Sequence, residues 1–201
     1  QGDKQASWRT DPSKAGVSSC MGDLGSHAEN LARYITGLEI EELCADMTTF
    51  VKGRRLEDDG NVLIHYKGGA RGVLYASQIS NGEENSLKIR IYGTKAGLEW
   101  QQENPNYLYR LRFDGPKETY SRGNGYLCEA ADANTRLPFG HPEGFIKAFA
   151  NMDKAIGNTI AAKLSGEKPK ELDLDFPTVV DGAFGVHFIH KTVESGKAKG
   201  W

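Results

Sequence analysis

The sequence predicts an α+β fold: an open, mainly antiparallel β-sheet with helices packed on one face. Three observations lead there. Apolar residues first recur at helical spacing between positions 24 and 35, then switch to a period of two from about 40 to 113, and return to helical spacing after 144. A block of strands followed by a block of helices favours an antiparallel sheet over an alternating βαβ arrangement. With 201 residues, 38% of them hydrophobic and 26% charged, the chain is long enough for one substantial core. One domain over 1–201 is therefore expected, opening with an irregular arm over 1–17.

The elements follow in order. Leu24, Ala28, Leu31 and Ile35 lie at i, i+4, i+7 and i+11, one stripe of a helix, and Gly37 stands where a stop belongs. Leu43, Ala45 and Met47 then alternate with polar neighbours. Val62-Leu63-Ile64-His65-Tyr66 and Gly72-Val73-Leu74-Tyr75-Ala76 flank Lys67-Gly68-Gly69-Ala70, a hairpin signature. Further strands are expected at 87–92, 98–100 and 107–113, where Leu, Ile and Tyr alternate with Lys and Arg. Residues 114–144, rich in Gly and Pro, read as one long loop. Phe145, Ala148, Phe149, Met152, Ile156, Ile160 and Leu164 then repeat at 3.6 spacing up to Gly166. A last helix runs from Pro177-Thr178 to about Ser195, with Thr178 and Asp181 at capping-box spacing and Val180, Phe184 and Phe188 as its buried face. The second sheet face, with Leu74, Tyr75, Tyr92 and Trp100, has the apolar content of a homo-oligomer interface.

Composition removes several function classes. Lys plus Arg number 25 and Asp plus Glu 27, a net charge of −2, without the basic footprint that nucleic acid binding needs. No run approaches the ~18 consecutive apolar residues of a membrane span. Cys20, Cys44 and Cys128 form no C-x-x-C pair and are odd in number, so neither a disulfide framework nor a zinc site is expected. Unpaired thiols suit a reducing compartment. A start at Gln1-Gly2-Asp3 reads as the start of an internal piece of a longer chain, and a cytoplasmic location is the expectation.

The stretch Gly22-Asp23-Leu24-Gly25-Ser26-His27 carries the most chemistry. On a helix, Asp23 and His27 share a face beside the apolar stripe, placing a carboxylate next to an imidazole able to take a proton from a hydroxyl. On spacing alone, a capping Asp23 and a hydrogen-bonded structural His27 are the plainer reading. Arg136-Leu137-Pro138-Phe139-Gly140-His141-Pro142-Glu143 is the second cluster. A neutral His141 ahead of the long helix could meet a sugar hydroxyl, and Arg136 is a further substrate-binding candidate; the plainer readings are loop packing and a solvated charge. His65, His187 and His190 lack ligand spacing and are read as structural. Gly123-Asn124-Gly125 is followed by Cys128 where a third glycine would complete a dinucleotide fingerprint, and no P-loop, serine elbow or H-E-x-x-H motif occurs. No metal is expected.

Four segments together resemble the C-terminal domain of the glucose-fructose oxidoreductase/inositol dehydrogenase/MocA (Gfo/Idh/MocA) family. They are Trp8-Arg9-Thr10-Asp11-Pro12 followed by Gly22 to His27 and Leu31-Ala32-Arg33-Tyr34; Gly93 to Trp100; Gly140 to Phe145 with Ala148 to Asn151; and Phe176 to Gly182. The resemblance implies half of a two-domain oxidoreductase that uses NAD or NADP, bound mainly by a Rossmann domain absent from this chain. It also implies a sugar, inositol or related polyol as substrate, an oligomer, and no activity from this half alone. His27 would be the general base and Asp23 its partner, with Arg9 approaching the cofactor and His141 near the substrate. The family's catalytic lysine belongs to an E-K-P motif in the absent half; Glu167-Lys168-Pro169 is a lookalike on a solvent-exposed loop. A non-catalytic carbohydrate-binding or dimerisation module is the alternative.

Overall fold

A computed structural model describes residues 7–201. Two compact units are formed, one by the chain up to Glu84 together with Val179–Trp201, the other by Asn85–Thr178.

In the first unit the chain enters through a 3-10 turn, Ser7–Thr10, and a single helical turn, α1 (Pro12–Ala15), which Asp11 caps by accepting the Ser13 N–H at 3.1 Å. The arm is thus more ordered over 7–15 than its composition suggested; residues 1–6 lie outside the described part. A π-type turn, Met21–Gly25, runs into α2 (Ser26–Thr36), which ends as expected at Gly37, whose left-handed φ of 66° lets its N–H close on Arg33 O. Strands β1 (Ile40–Thr48), β2 (Asp59–Tyr66) and β3 (Arg71–Ser77) make an antiparallel sheet in that order. The β2–β3 hairpin closes where Gly68-Gly69 predicted it, with the Tyr66 N–H on Ala70 O at 3.0 Å. Helix α5, which follows the second unit in sequence, spans Val179–Ala198.

The core lies on one face of this sheet. Leu43 and Ala45 from β1, Val62 and Ile64 from β2, and Leu74 and Ala76 from β3 point inward against Cys20, Met21 and Phe188. Their alternation is the period-two pattern of half-buried strands. Leu74, expected on the open face, is instead a core residue, because register pairs it with buried Val62 and turns Val73 and Tyr75 outward. The run Val73-Leu74-Tyr75-Ala76 is apolar throughout, so only pairing could set its phase. The buried face of α5 also differs from expectation: Phe188, Thr192 and Ser195 are covered, while Val180 and Phe184 are exposed. Ser195 explains part of this, its hydroxyl accepting the Ala45 N–H of β1 at 2.9 Å.

The second unit is a four-stranded antiparallel sheet, β4 (Lys88–Tyr92), β5 (Ala96–Gln101), β6 (Tyr107–Arg112) and β7 (Lys117–Ser121), with short helix α3 (Glu129–Ala133), helix α4 (Phe145–Ser165) and a 3-10 turn, Glu171–Leu174. β7 and α3 fall inside the stretch expected to be loop. Lys-Glu-Thr-Tyr-Ser has no apolar alternation, and it forms a strand because β6 supplies a partner edge. Helix α4 stops at Gly166 as expected, and no residue of it is buried. Its Asn158 and Thr159 bond Asp173 at 2.8 and 2.7 Å, fastening it to the 3-10 turn.

Candidate active site

The site is organised around the start of the first long helix. Glu57, buried at the end of the loop before β2, turns Oε1 toward the helix N-terminus and accepts the Ser19 and Met21 N–H groups at 2.9 and 3.1 Å and the Ser18 hydroxyl. A carboxylate there satisfies donors that have no intrahelical partner. Neighbouring Asp58, with no exposed surface, orders the same loop by accepting the Phe50 and Val51 N–H groups at 2.8 and 3.0 Å and pairing with Arg54 at 3.1 Å. Burial opposes its ionised form, but these hydrogen bonds and the guanidinium outweigh it and hold the carboxyl below the usual range.

From this anchored start, Asp23 occupies the π-type turn and His27 the second position of α2. The Ser26 N–H reaches Met21 O, five residues back, which marks the wider turn; such turns inserted in helices are frequent at functional sites. Asp23 is held on three sides. Its N–H donates to Ser19 O at 2.9 Å, its Oδ2 lies 3.3 Å from Arg9 Nε, and Gln78 Nε2 stands 3.5 Å from the same oxygen. The Arg9 contact is an ion pair without hydrogen-bond alignment: Nε is buried and makes no hydrogen bond among the described residues, leaving donor capacity beside the carboxylate. Arg9 also lies 5.4 Å from the Trp8 ring centroid.

These groups share the wall of one cavity of about 530 Å³, to which Trp8, Arg9, Asp23, His27, Ile189 and His190 contribute. That size lies within the ~300–1,000 Å³ typical of small-molecule sites. The cavity therefore brings together Arg9, Asp23 and His27, which the sequence had singled out. It also contains His190, which the sequence marked only as structural. Glu57 and Gln78 are not legible in the sequence, because each lies more than thirty residues from the groups it bonds and no spacing rule links them. Cys20 is no nucleophile: burial, with Glu57 and Asp59 nearby, pushes its thiol up to about 12.

His141 and Arg136 belong to the second unit. Arg136 Nε bonds Asn151 Oδ1 at 2.6 Å and its Nη2 bonds Ala150 O at 2.9 Å, so its guanidinium fastens the loop to α4. His141 lies three residues before Gly144, the N-cap of α4, and its Nδ1 is 3.3 Å from Phe139 O. The loop that carries it is held by Glu143, which accepts the Arg136 N–H at 2.9 Å and lies 3.4 Å from Arg122, and by Asn106, whose Oδ1 accepts the Glu143 N–H at 2.9 Å. Gly123 has a φ of 80°, and a side chain there would lie 2.7 Å from Phe139 N, so it packs against this loop and builds no phosphate cradle. Among the described residues no three His, Cys, Asp or Glu side chains gather as a metal site, and no helix is long and apolar enough to cross a membrane.

Residues 1–99 match the GFO/IDH/MocA C-terminal domain. Over its first half the chain is similar to C-terminal domains of the GFO/IDH/MocA family. Its Asp23-x-x-x-His27 helix and Trp8-Arg9 turn lie within the matched part. Over 191 residues the chain is 36% identical to the uncharacterized oxidoreductase YfiI of Bacillus subtilis (strain 168), covering 94% of the present chain and 48% of that protein. An inositol dehydrogenase homolog from Azotobacter vinelandii, solved complexed with NAD+, superposes with a TM-score of 0.94 at 33% identity, over 100% of this chain and 52% of that one. The same homolog complexed with NADH and myo-inositol gives 0.91 at 31% identity, with the same coverage. The chain spans about half the length of these relatives.

Proposed function

We propose that the whole chain, residues 1–201, is the substrate-side half of an NAD(P)-dependent dehydrogenase that oxidises a secondary hydroxyl of a sugar, inositol or related polyol. The observation that carries this reading is the shared cavity: an imidazole, a carboxylate paired with a guanidinium, and an indole line a space the size of a small ligand. A nicotinamide dinucleotide finds no glycine-rich pyrophosphate turn among the described residues, so most of its binding falls to a further domain. When bound, it supplies the hydride acceptor.

This chain's own residues handle the substrate and the proton. His27, exposed on the cavity wall and without a hydrogen bond among the described residues, is positioned to take the hydroxyl proton as general base. Asp23, fixed by Arg9, Gln78 and the Ser19 carbonyl, orients the hydroxyl or stabilises the imidazolium that forms. Arg9, on the cavity wall with a donor not yet hydrogen-bonded among the described residues, is the residue assigned to the cofactor. His141 and Arg136 are the further substrate-contacting candidates, carried by a loop built for rigidity. Alone, this half is expected to turn nothing over. Oligomerisation is assigned to the open face of the β1–β2–β3 sheet, where Leu63, Val73 and Tyr75 are 49, 76 and 54% exposed.

The test is steady-state oxidation of myo-inositol by the full-length protein with NAD+ or NADP+. Replacing His27 by Ala should lower kcat by about a hundredfold or more, the scale of a lost general base. Turnover unchanged in His27→Ala would overturn the base assignment.

A further inference from the structure

Helix α5 brings a second imidazole to the Asp23/His27 cavity. His190 lines it beside the apolar Val186 and Ile189, and its ring makes no hydrogen bond among the described residues. Glu194, one turn further on, is engaged by Lys191 at 2.7 Å. Of the other polar side chains of the wall, Ser18 is committed to Glu57, Ser19 to Gln78, Ser26 to Gly22 O and Asp23 to Arg9, while the Arg9 guanidinium and the Trp8 indole can only donate. His27 and His190 are thus the lining groups, among the described residues, that can both donate and accept a hydrogen bond and have not yet done so.

A polyol carries a hydroxyl on each of several carbons, and each hydroxyl both donates and accepts. An imidazole matches such a group, with one ring nitrogen donating and the other accepting. His27 can act as base on only one carbon. We propose that His190 is a specificity-determining residue, hydrogen-bonding a substrate hydroxyl on a carbon other than the one His27 serves. The substrate class is narrowed accordingly to polyols with a second hydroxyl, carried on the ring or chain away from the reacting carbon. This inference rests on the dehydrogenase reading above. A site that hydrogen-bonds a hydroxyl discriminates strongly against an analogue lacking it, since the protein group is then left unpaired.

The experiment uses full-length enzyme, NAD+, myo-inositol and its monodeoxy analogues, with the wild type and the variants His190→Ala, His190→Gln and His187→Ala. His187 lies three residues away on the same helix and does not line the cavity, so its variant should match the wild type. His190→Ala should raise KM for myo-inositol about tenfold while kcat stays within about threefold, with partial recovery in His190→Gln. One monodeoxy analogue should be discriminated by the wild type and no longer by His190→Ala. Equal KM values and an unchanged analogue profile would overturn the proposal. A wild type that reduces no nicotinamide with any polyol would defeat the dehydrogenase reading by itself. His190 is then judged by its ring NMR resonance on adding myo-inositol: a shift at His190 that is absent from His187 supports the contact, and no shift at His190 overturns it.

Discussion

Glu57 accepts the backbone N–H of Met21 at 3.1 Å, tying the loop before β2 to the first turn of the helix that bears Asp23 and His27. The same oxygen holds the Ser19 N–H and the Ser18 hydroxyl, so one carboxylate serves three donors in a place water scarcely reaches. Glu57→Ala leaves all three unpaired, and unmet buried donors cost ~1–3 kcal/mol each, so a loss of about 3 kcal/mol is expected. Glu57→Gln keeps an acceptor oxygen in position and should lose about 1 kcal/mol, the scale of weakening charge-assisted bonds to neutral ones. Urea unfolding midpoints of the two variants decide it; equal losses would show that the cap acts by shape alone.

Arg33 bridges α2 and α5, with Nη1 2.9 Å from Asp181 and Nε 3.1 Å from Glu29, whose side chain is 5% exposed. Burial raises the Glu29 carboxyl above its ordinary value while Arg33 pulls it part of the way back. The folded protein therefore holds this proton more tightly than the unfolded chain. Between the ordinary glutamate value and the raised folded one, stability falls as pH rises. Arg33→Met removes the compensating charge and pushes the carboxyl higher still. The variant should lose ~3 kcal/mol at neutral pH, the scale for breaking a buried pair, and distinctly less near the ordinary glutamate value. Unfolding midpoints measured across that range give the answer, and a loss independent of pH would assign the effect to packing against Phe184, whose ring centroid lies 5.0 Å from the guanidinium.

Val73, 76% exposed, pairs with Leu63 across the open face of the first sheet, and Leu63 in turn faces Cys44. If this row meets its copy in an oligomer, Val73→Lys buries a charge there and should lower the assembled mass in light scattering by at least a factor of two. Stability of the subunit should stay within about 0.5 kcal/mol, as for an ordinary surface change. An unchanged mass would move the interface elsewhere.

Local signals set by the backbone were legible in the amino-acid order. The Gly68-Gly69 hairpin, the left-handed stops at Gly37 and Gly166, and the alternation that sends Leu43, Ala45, Val62 and Ile64 inward all follow from chain geometry within a few residues. The four-residue step from Asp23 to His27 was legible for the same reason. β7 was not, because a polar edge strand exists only through its partner, and neither was the phase of the Val73–Ala76 run, in which every residue is apolar.

The α+β class, the order of helices and strands, and the helical stretch that presents Asp23 and His27 follow from the amino-acid order, since each depends on periodicity and on residues within one or two turns of one another. Tertiary structure alone decided what stands around that pair. Glu57 and Gln78 arrive from the far ends of β2 and β3, and His190 from a helix at the other end of the chain. No spacing rule reaches across such distances; these neighbours are fixed by which strands pair and which helix face the sheet covers.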